Sequence, residues 1–258
     1  MEKVIAVIFA GGSGVRMGAG KPKQFLEVAG RPIIIHTLEI FEMHPEVDEI
    51  VISCKEDYIE PLKRMLRRND ISKVSRIVPG GDTAMASIYN GLVAAKSGRA
   101  EDAAKSGNPE DAVVLVHDGV RPFVTRKLVS QVIAAVREHG SAATCTPLFE
   151  TPVISHDGRT VEETPERSLC FTAQAPQGFR LDELLSAHET IRAERPDYKG
   201  IVDNCSLMKR LGREVTIVEG PRSNIKVTTP EDLYIFKAML AFRATIAALG
   251  MDLTCSGR

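Results

Sequence analysis

The chain opens on an unbroken apolar run, Val4–Ala10 (VIAVIFA). Similar runs return at 49–54 (EIVISC), 75–80 (SRIVPG), 112–118 (AVVLVHD) and 141–147 (SAATCTP). Short runs of this kind, rich in β-branched residues, predict strands buried on both faces. Between them, apolar positions recur every three to four residues, which predicts helices over 32–44, 58–69, 83–96 and 126–140, the last ending on Gly140. This alternation predicts an α/β fold: a Rossmann-like, mostly parallel sheet with helices on both faces. Residues 150–172 break the pattern, alternating β-formers around an HDGR turn, and predict a hairpin that projects as an arm. Helices over 181–193, 203–211 and 230–247 and a strand over 214–219 complete the chain. The expected organisation is one domain over 1–248, with 150–172 as its arm and 249–258 as a flexible tail. The polar stretch 94–112 carries AAKSG twice, at 94–98 and 103–107, and predicts an extended surface loop without chemistry.

Composition narrows the function. With 258 residues, 43% of them hydrophobic, the chain can bury one large α/β core or two small ones. Net charge is −1, so nothing basic points to nucleic acid or an anionic membrane as partner. The absence of tryptophan and the low aromatic content argue against a base-stacking surface. Cys54, Cys145, Cys170, Cys205 and Cys255 are scattered and form no CxxC pair. That argues against a zinc site or a disulfide framework and fits reduced thiols in the cytoplasm. The amino-terminal apolar run is too short for a membrane span and has no small-residue cleavage site, so it is not read as a signal peptide.

The first strand runs into VIFAGGSGVRMGAGKPKQF, Val7 to Phe25, which holds five glycines, Arg16, Lys21 and Lys23. In open parallel sheets ligands bind at the carboxyl ends of strands, and glycines let backbone N–H groups approach a phosphate. A Walker loop fails here, because Pro22 replaces the metal-binding hydroxyl and Val15 the first glycine. A dinucleotide fingerprint fails at Met17, where the third glycine should stand. What remains is GGxGxRM…PKQ, with Arg16 and Lys23 flanking a glycine turn, a pattern suited to a triphosphate attacked at its α-phosphate.

Five ordered blocks, FAGGSGVRMG…KPKQFLE, PGGDTAMAS, VHDGVRPF, APQGF and NIKVTTPEDL, carry a wider resemblance. From about Val4 to Met239 the chain resembles the cytidylyltransferase family that includes 2-C-methyl-D-erythritol 4-phosphate and ribitol-5-phosphate cytidylyltransferases. The resemblance implies a glycosyltransferase-A-like nucleotidyltransferase fold, a homodimer held through the 150–172 arm, and Mg²⁺ as cofactor. The implied reaction is CTP plus a polyol phosphate giving CDP-polyol and pyrophosphate. The nucleophile would be a phosphate oxygen, already ionised because a monoester's second pKa is about 6. Positioned charge, rather than a strong base, would supply the catalysis.

By resemblance, Arg16, Lys23 and Lys226 are the catalytic cations on the triphosphate. Ala10, Gly11, Gly12, Gly14, Gly81, Asp82 and Ser87 bind the nucleotide. Asp118 binds the acceptor and Mg²⁺; Arg121, Thr151, Arg167 and Asp203 complete the acceptor site. His117 is expected to be structural, and Lys21 a surface residue. Two departures stand out: Ala84 replaces the family's usual arginine, and Ala175 replaces a threonine in APQ. Three features favour ribitol 5-phosphate as acceptor: AGG at 10–12, Asp203 followed two residues on by Cys205, and RPF at 121–123. The alternatives are 2-C-methyl-D-erythritol 4-phosphate in isoprenoid biosynthesis, a sugar-phosphate transferase using UTP or GTP, and a non-catalytic nucleotide-binding homologue.

Overall fold

The structure is a computed structural model that describes residues 2–12, 20–106 and 112–249. Strand β1 (Val4–Ala10) is followed by a short antiparallel pair, β2 (Glu27–Val28) and β3 (Arg31–Pro32), and by α1 (Ile33–Glu42). Then come β4 (Glu49–Cys54), α2 (Ile59–Arg68), β5 (Val74–Pro79) and α3 (Ala84–Ser106). The second half holds β6 (Val113–Asp118), α4 (Arg126–His139), β7 (Ser141–Pro147), β8 (Phe171–Arg180), α5 (Leu181–Glu194), α6 (Asn204–Arg210), β9 (Thr216–Glu219) and α7 (Pro230–Ala248). Seven strands form one sheet in the order β5–β4–β1–β6–β8–β7–β9, and only β8 runs against the rest.

Residues of β1 divide between the two faces, as the strand period requires. Val4, Ala6 and Ile8 pack with α1, α2 and α4; Ile5 and Val7 pack with α3, α5 and α6. A third cluster, Val28, Ile33, Val120, Phe123, Val227 and Phe236, seats α7 over the carboxyl end of the sheet. Pro61 is tolerated in α2 because it lies in the first turn, where backbone N–H groups lack helical partners. Thr125 caps α4 by accepting from Leu128 N, and Gly140 closes that helix at φ +84°.

Three expectations change. The stretch 94–106 is not a loop: α3 continues through it to Ser106, while 107–111 lies outside the described residues. Ala94 and Ala95 are buried, and Gly98 gives the Arg76 guanidinium the room that a side chain would fill. Arg76 then pairs with Glu101 at 2.6 Å, so packing holds a helix that Gly98 and the polar repeat obscured in the sequence. Second, the hairpin reduces to one antiparallel bridge, Ile154 to Glu163, around a turn in which Asp157 accepts from Arg159 N and Thr160 N. Third, 171–180 forms a ten-residue strand inside the sheet. Its Pro176 cannot donate, and β7 shifts register between Ala143 and Cys145 opposite it, where Thr144 Oγ1 donates to Pro176 O at 2.8 Å.

Candidate active site

The chain steps outward from β1 to β4 and β5, then returns to place β6 on the other side of β1. That reversal is a topological switch point, where the loops diverge and leave a crevice. A cavity of about 680 Å³ opens there. It is lined by the ends of β1 (Phe9, Ala10, Gly11, Gly12), by Lys23 and Gln24, and by the turn after β4 (Lys55, Glu56, Asp57). The turn into α3 (Gly80 to Ala84), Asp118, Val120 and Lys226 complete the lining.

Asp118 ends β6 beside Phe9 of β1. It is 5% exposed, and two cations bracket it. Lys226 Nζ lies 2.6 Å from Oδ1, and Arg121 Nε donates to Oδ2 at 3.2 Å. Burial alone would raise this carboxyl, but the Arg121 and Lys226 charges outweigh it and hold it down at about 2. It is therefore an anion at neutral pH. His117 is buried and neutral: burial pushes its pKa down to about 4, against the pull of Asp118. Its Nε2 bonds the Arg121 carbonyl at 3.1 Å, a structural place.

The start of the glycine loop, at Ala10 to Gly12, is fastened from beneath. Gln24, 1% exposed, donates through Nε2 to the carbonyls of Ala10 and Gly12. A Cβ on Gly11 would stand 2.6 Å from Ser87 Oγ, so this approach of β1 to α3 requires glycine. Ser87 is buried; its Oγ accepts from Gly81 N at 3.0 Å and donates to Thr83 O at 2.9 Å. The hydroxyl thus shapes the 80–83 turn. Gly81 is equally constrained, since a Cβ there would meet the Ala86 Cβ at 2.4 Å.

Lys23, Ala10, Gly11, Gly12, Gly81, Asp82, Asp118 and Lys226 thus converge on one cavity. Arg16 and Gly14 lie outside the described residues. Arg121 sits behind the cavity, bonded to Asp118 and, through Nη1, to Asn224 O at 2.6 Å. Thr151 and Arg167 are exposed on the arm, where Arg167 Nη1 donates to Phe149 O at 3.1 Å. Asp203 caps α6: it accepts from Ser206 N at 2.8 Å and from Gln177 Nε2 at 2.9 Å. None of these four lines the cavity.

The sequence profile of the 2-C-methyl-D-erythritol 4-phosphate cytidylyltransferase family matches residues 4–241. The chain belongs to this family. Within it, a "Ribitol-5-phosphate cytidylyltransferase" of Streptococcus agalactiae is 42% identical over 251 residues, covering 96% of this chain and 99% of the relative. A "2-C-methyl-D-erythritol 4-phosphate cytidylyltransferase" of Geobacillus thermodenitrificans is 38% identical over 238 residues, covering 92% and 97%. The solved 4-diphosphocytidyl-2C-methyl-D-erythritol synthase of Anaerococcus prevotii superposes with TM-score 0.77 at 31% identity, covering 93% of this chain and 96% of that one. The fold is therefore that of the cytidylyltransferase family.

Several residues of this cavity carried no clear sign in the sequence. Lys55, Glu56 and Asp57 line the cavity; their place just after a parallel strand was the available signal. Gln24 stands beside Lys23 in the same block but bears no charge that would mark it.

Proposed function

We propose that the protein transfers the cytidylyl group of CTP to D-ribitol 5-phosphate, giving CDP-ribitol and pyrophosphate. The observation that carries this reading is the convergence at one cavity of Gly11 and Gly12 at the start of the glycine loop, Lys23 and the Asp118–Lys226 pair, in a chain of the cytidylyltransferase family. A phosphate oxygen of the acceptor bonds to the α-phosphorus of CTP, and the bond from that phosphorus to the bridging oxygen of pyrophosphate breaks. Lys23 and Lys226, with Arg16, offset the charge that builds at the α-phosphate.

Asp118 fits Mg²⁺ as a single hard oxygen ligand that is ionised and lines the cavity. Among the described residues no group of three His, Cys, Asp or Glu could hold a metal alone, so the triphosphate would supply most of its ligands. When bound, Mg²⁺ neutralises phosphate charge. Gly81 and Asp82 stand at the nucleoside end, with Ser87 shaping their turn. Asp203 and Arg121 support the acceptor side. The arm exposes Phe149, Val153, Ile154, Val161 and Leu169, which supports a homodimer in which Thr151 and Arg167 reach the partner's acceptor site. Cys54, Cys145, Cys170 and Cys205 are unpaired, which supports a cytoplasmic enzyme. Among the described residues no helix is long and apolar enough to cross a membrane.

The ribitol acceptor draws support from the higher identity to the Streptococcus relative and from Asp203 with Cys205. 2-C-Methyl-D-erythritol 4-phosphate is the alternative, favoured by the family profile and the Anaerococcus structure. Pyrophosphate release from CTP, measured side by side with the two acceptors in Mg²⁺, decides between them. We expect kcat/KM for ribitol 5-phosphate to be higher. A preference for methylerythritol phosphate would overturn the acceptor assignment, and no release with either would overturn the reaction.

A further inference from the structure

We infer that Asn224 is a positioning residue for the charged group around Asp118, an assignment that rests on the nucleotidyl-transfer reading above. Asn224 is fully buried and does not line the cavity at Asp118. Its Nδ2 donates to Gln174 Oε1 at 3.1 Å and to Ala175 O at 2.7 Å, both on β8. Two carbonyl acceptors demand the amide nitrogen there, so the side chain has one workable orientation. On its other side, the backbone carbonyl of Asn224 accepts from Arg121 Nη1 at 2.6 Å. Arg121 Nε in turn donates to Asp118 Oδ2. Two residues further on, Lys226 Nζ meets Asp118 Oδ1 at 2.6 Å. Val227 N then bonds Val120 O at 2.8 Å, which fixes the far end of the segment.

Asn224 therefore joins three things: the antiparallel strand β8, the guanidinium that orients Asp118, and the stretch of chain that delivers Lys226. Its Oδ1 is buried without a hydrogen-bond partner, so the amide is held by its two donor bonds to β8. If β8 releases Asn224, the carbonyl that aims Arg121 and the reach of Lys226 shift together.

The test is a double-mutant cycle of Asn224→Ala with Lys226→Ala in the full-length enzyme, read as kcat and KM for pyrophosphate release, with melting temperature recorded for each variant. Asn224→Ala should lower kcat by about 10- to 100-fold, as small displacements of a catalytic group do, while KM for CTP changes less. In the Lys226→Ala background the same change should cost under about 3-fold, because groups acting as a unit are non-additive. Asn224→Ser, which keeps a donor, should recover part of the loss and serves in the cycle if the alanine variant does not fold. Losses that multiply independently, or a kcat that merely follows melting temperature, would overturn the inference and leave the function standing. An unsubstituted enzyme that releases no pyrophosphate would sink both.

Discussion

At the scale of single residues, Lys23 and Asp118 carry the clearest expectations. Lys23 is 9% exposed yet lines the cavity, so its ammonium is held rather than waving in solvent. A cation placed beforehand where charge develops contributes more than one that must be ordered during reaction. Lys23→Ala should therefore lower kcat by about 100-fold or more in a pyrophosphate-release assay; near-normal turnover would remove it from the catalytic group. Asp118 is held near 2 by Arg121 and Lys226, against burial. It is thus not the group that titrates on the acidic limb of a rate profile near neutrality.

Among the elements, the arm and β8 matter most. The arm buries little within its own chain: Leu169 is 74% exposed and Val161 60%. Apolar side chains gathered on one exposed segment mark a contact surface. If the proposed homodimer forms through this arm, Leu169→Asp should give a monomer in size-exclusion chromatography with light scattering, while melting of the protomer shifts little. A dimer that survives with unchanged affinity would place the interface elsewhere. β8 sets Gln174 and Ala175 against Asn224 and Gln177 against Asp203, which links the proposed acceptor side to the proposed phosphate side. Its strand character was hard to read because Pro176 and two glutamines interrupt the β pattern. The opposite held for α3, whose alanines carried the helix past two glycines.

Across the whole molecule, stability should depend on pH most through two buried histidines, with His44 shifted in the same direction by burial. His117 and His188 are each pushed down to about 4 by burial; His188 bonds Tyr198 Oη at 2.7 Å and Asn204 Oδ1 at 3.1 Å. In the unfolded chain they take up protons from their ordinary value of 6.5, so the unfolded state binds more protons below it. Their contribution is intact above 6.5 and is lost as pH falls toward 4, on the order of 1 kcal/mol per pH unit for each histidine. Asp118 adds a further loss only below the ordinary carboxylate value of 3.8. Melting temperature, followed by circular dichroism from about pH 8 to 4.5, should stay level and then fall below the histidine value, less steeply in His188→Gln. A level curve throughout would contradict the buried, neutral histidines.

The sequence by itself determined the strands apolar on every face, the helices between them and the glycine loop, because burial period and turn chemistry are local properties. It also determined which residue types were present to hold a triphosphate. Only the tertiary structure decided that β8 enters the sheet antiparallel, that Gln24 fastens the loop, and that Asn224 joins β8 to Arg121. It alone brought Lys226 within 2.6 Å of Asp118. Those outcomes depend on which backbone carbonyls and charges meet across distant segments, and no local periodicity encodes that.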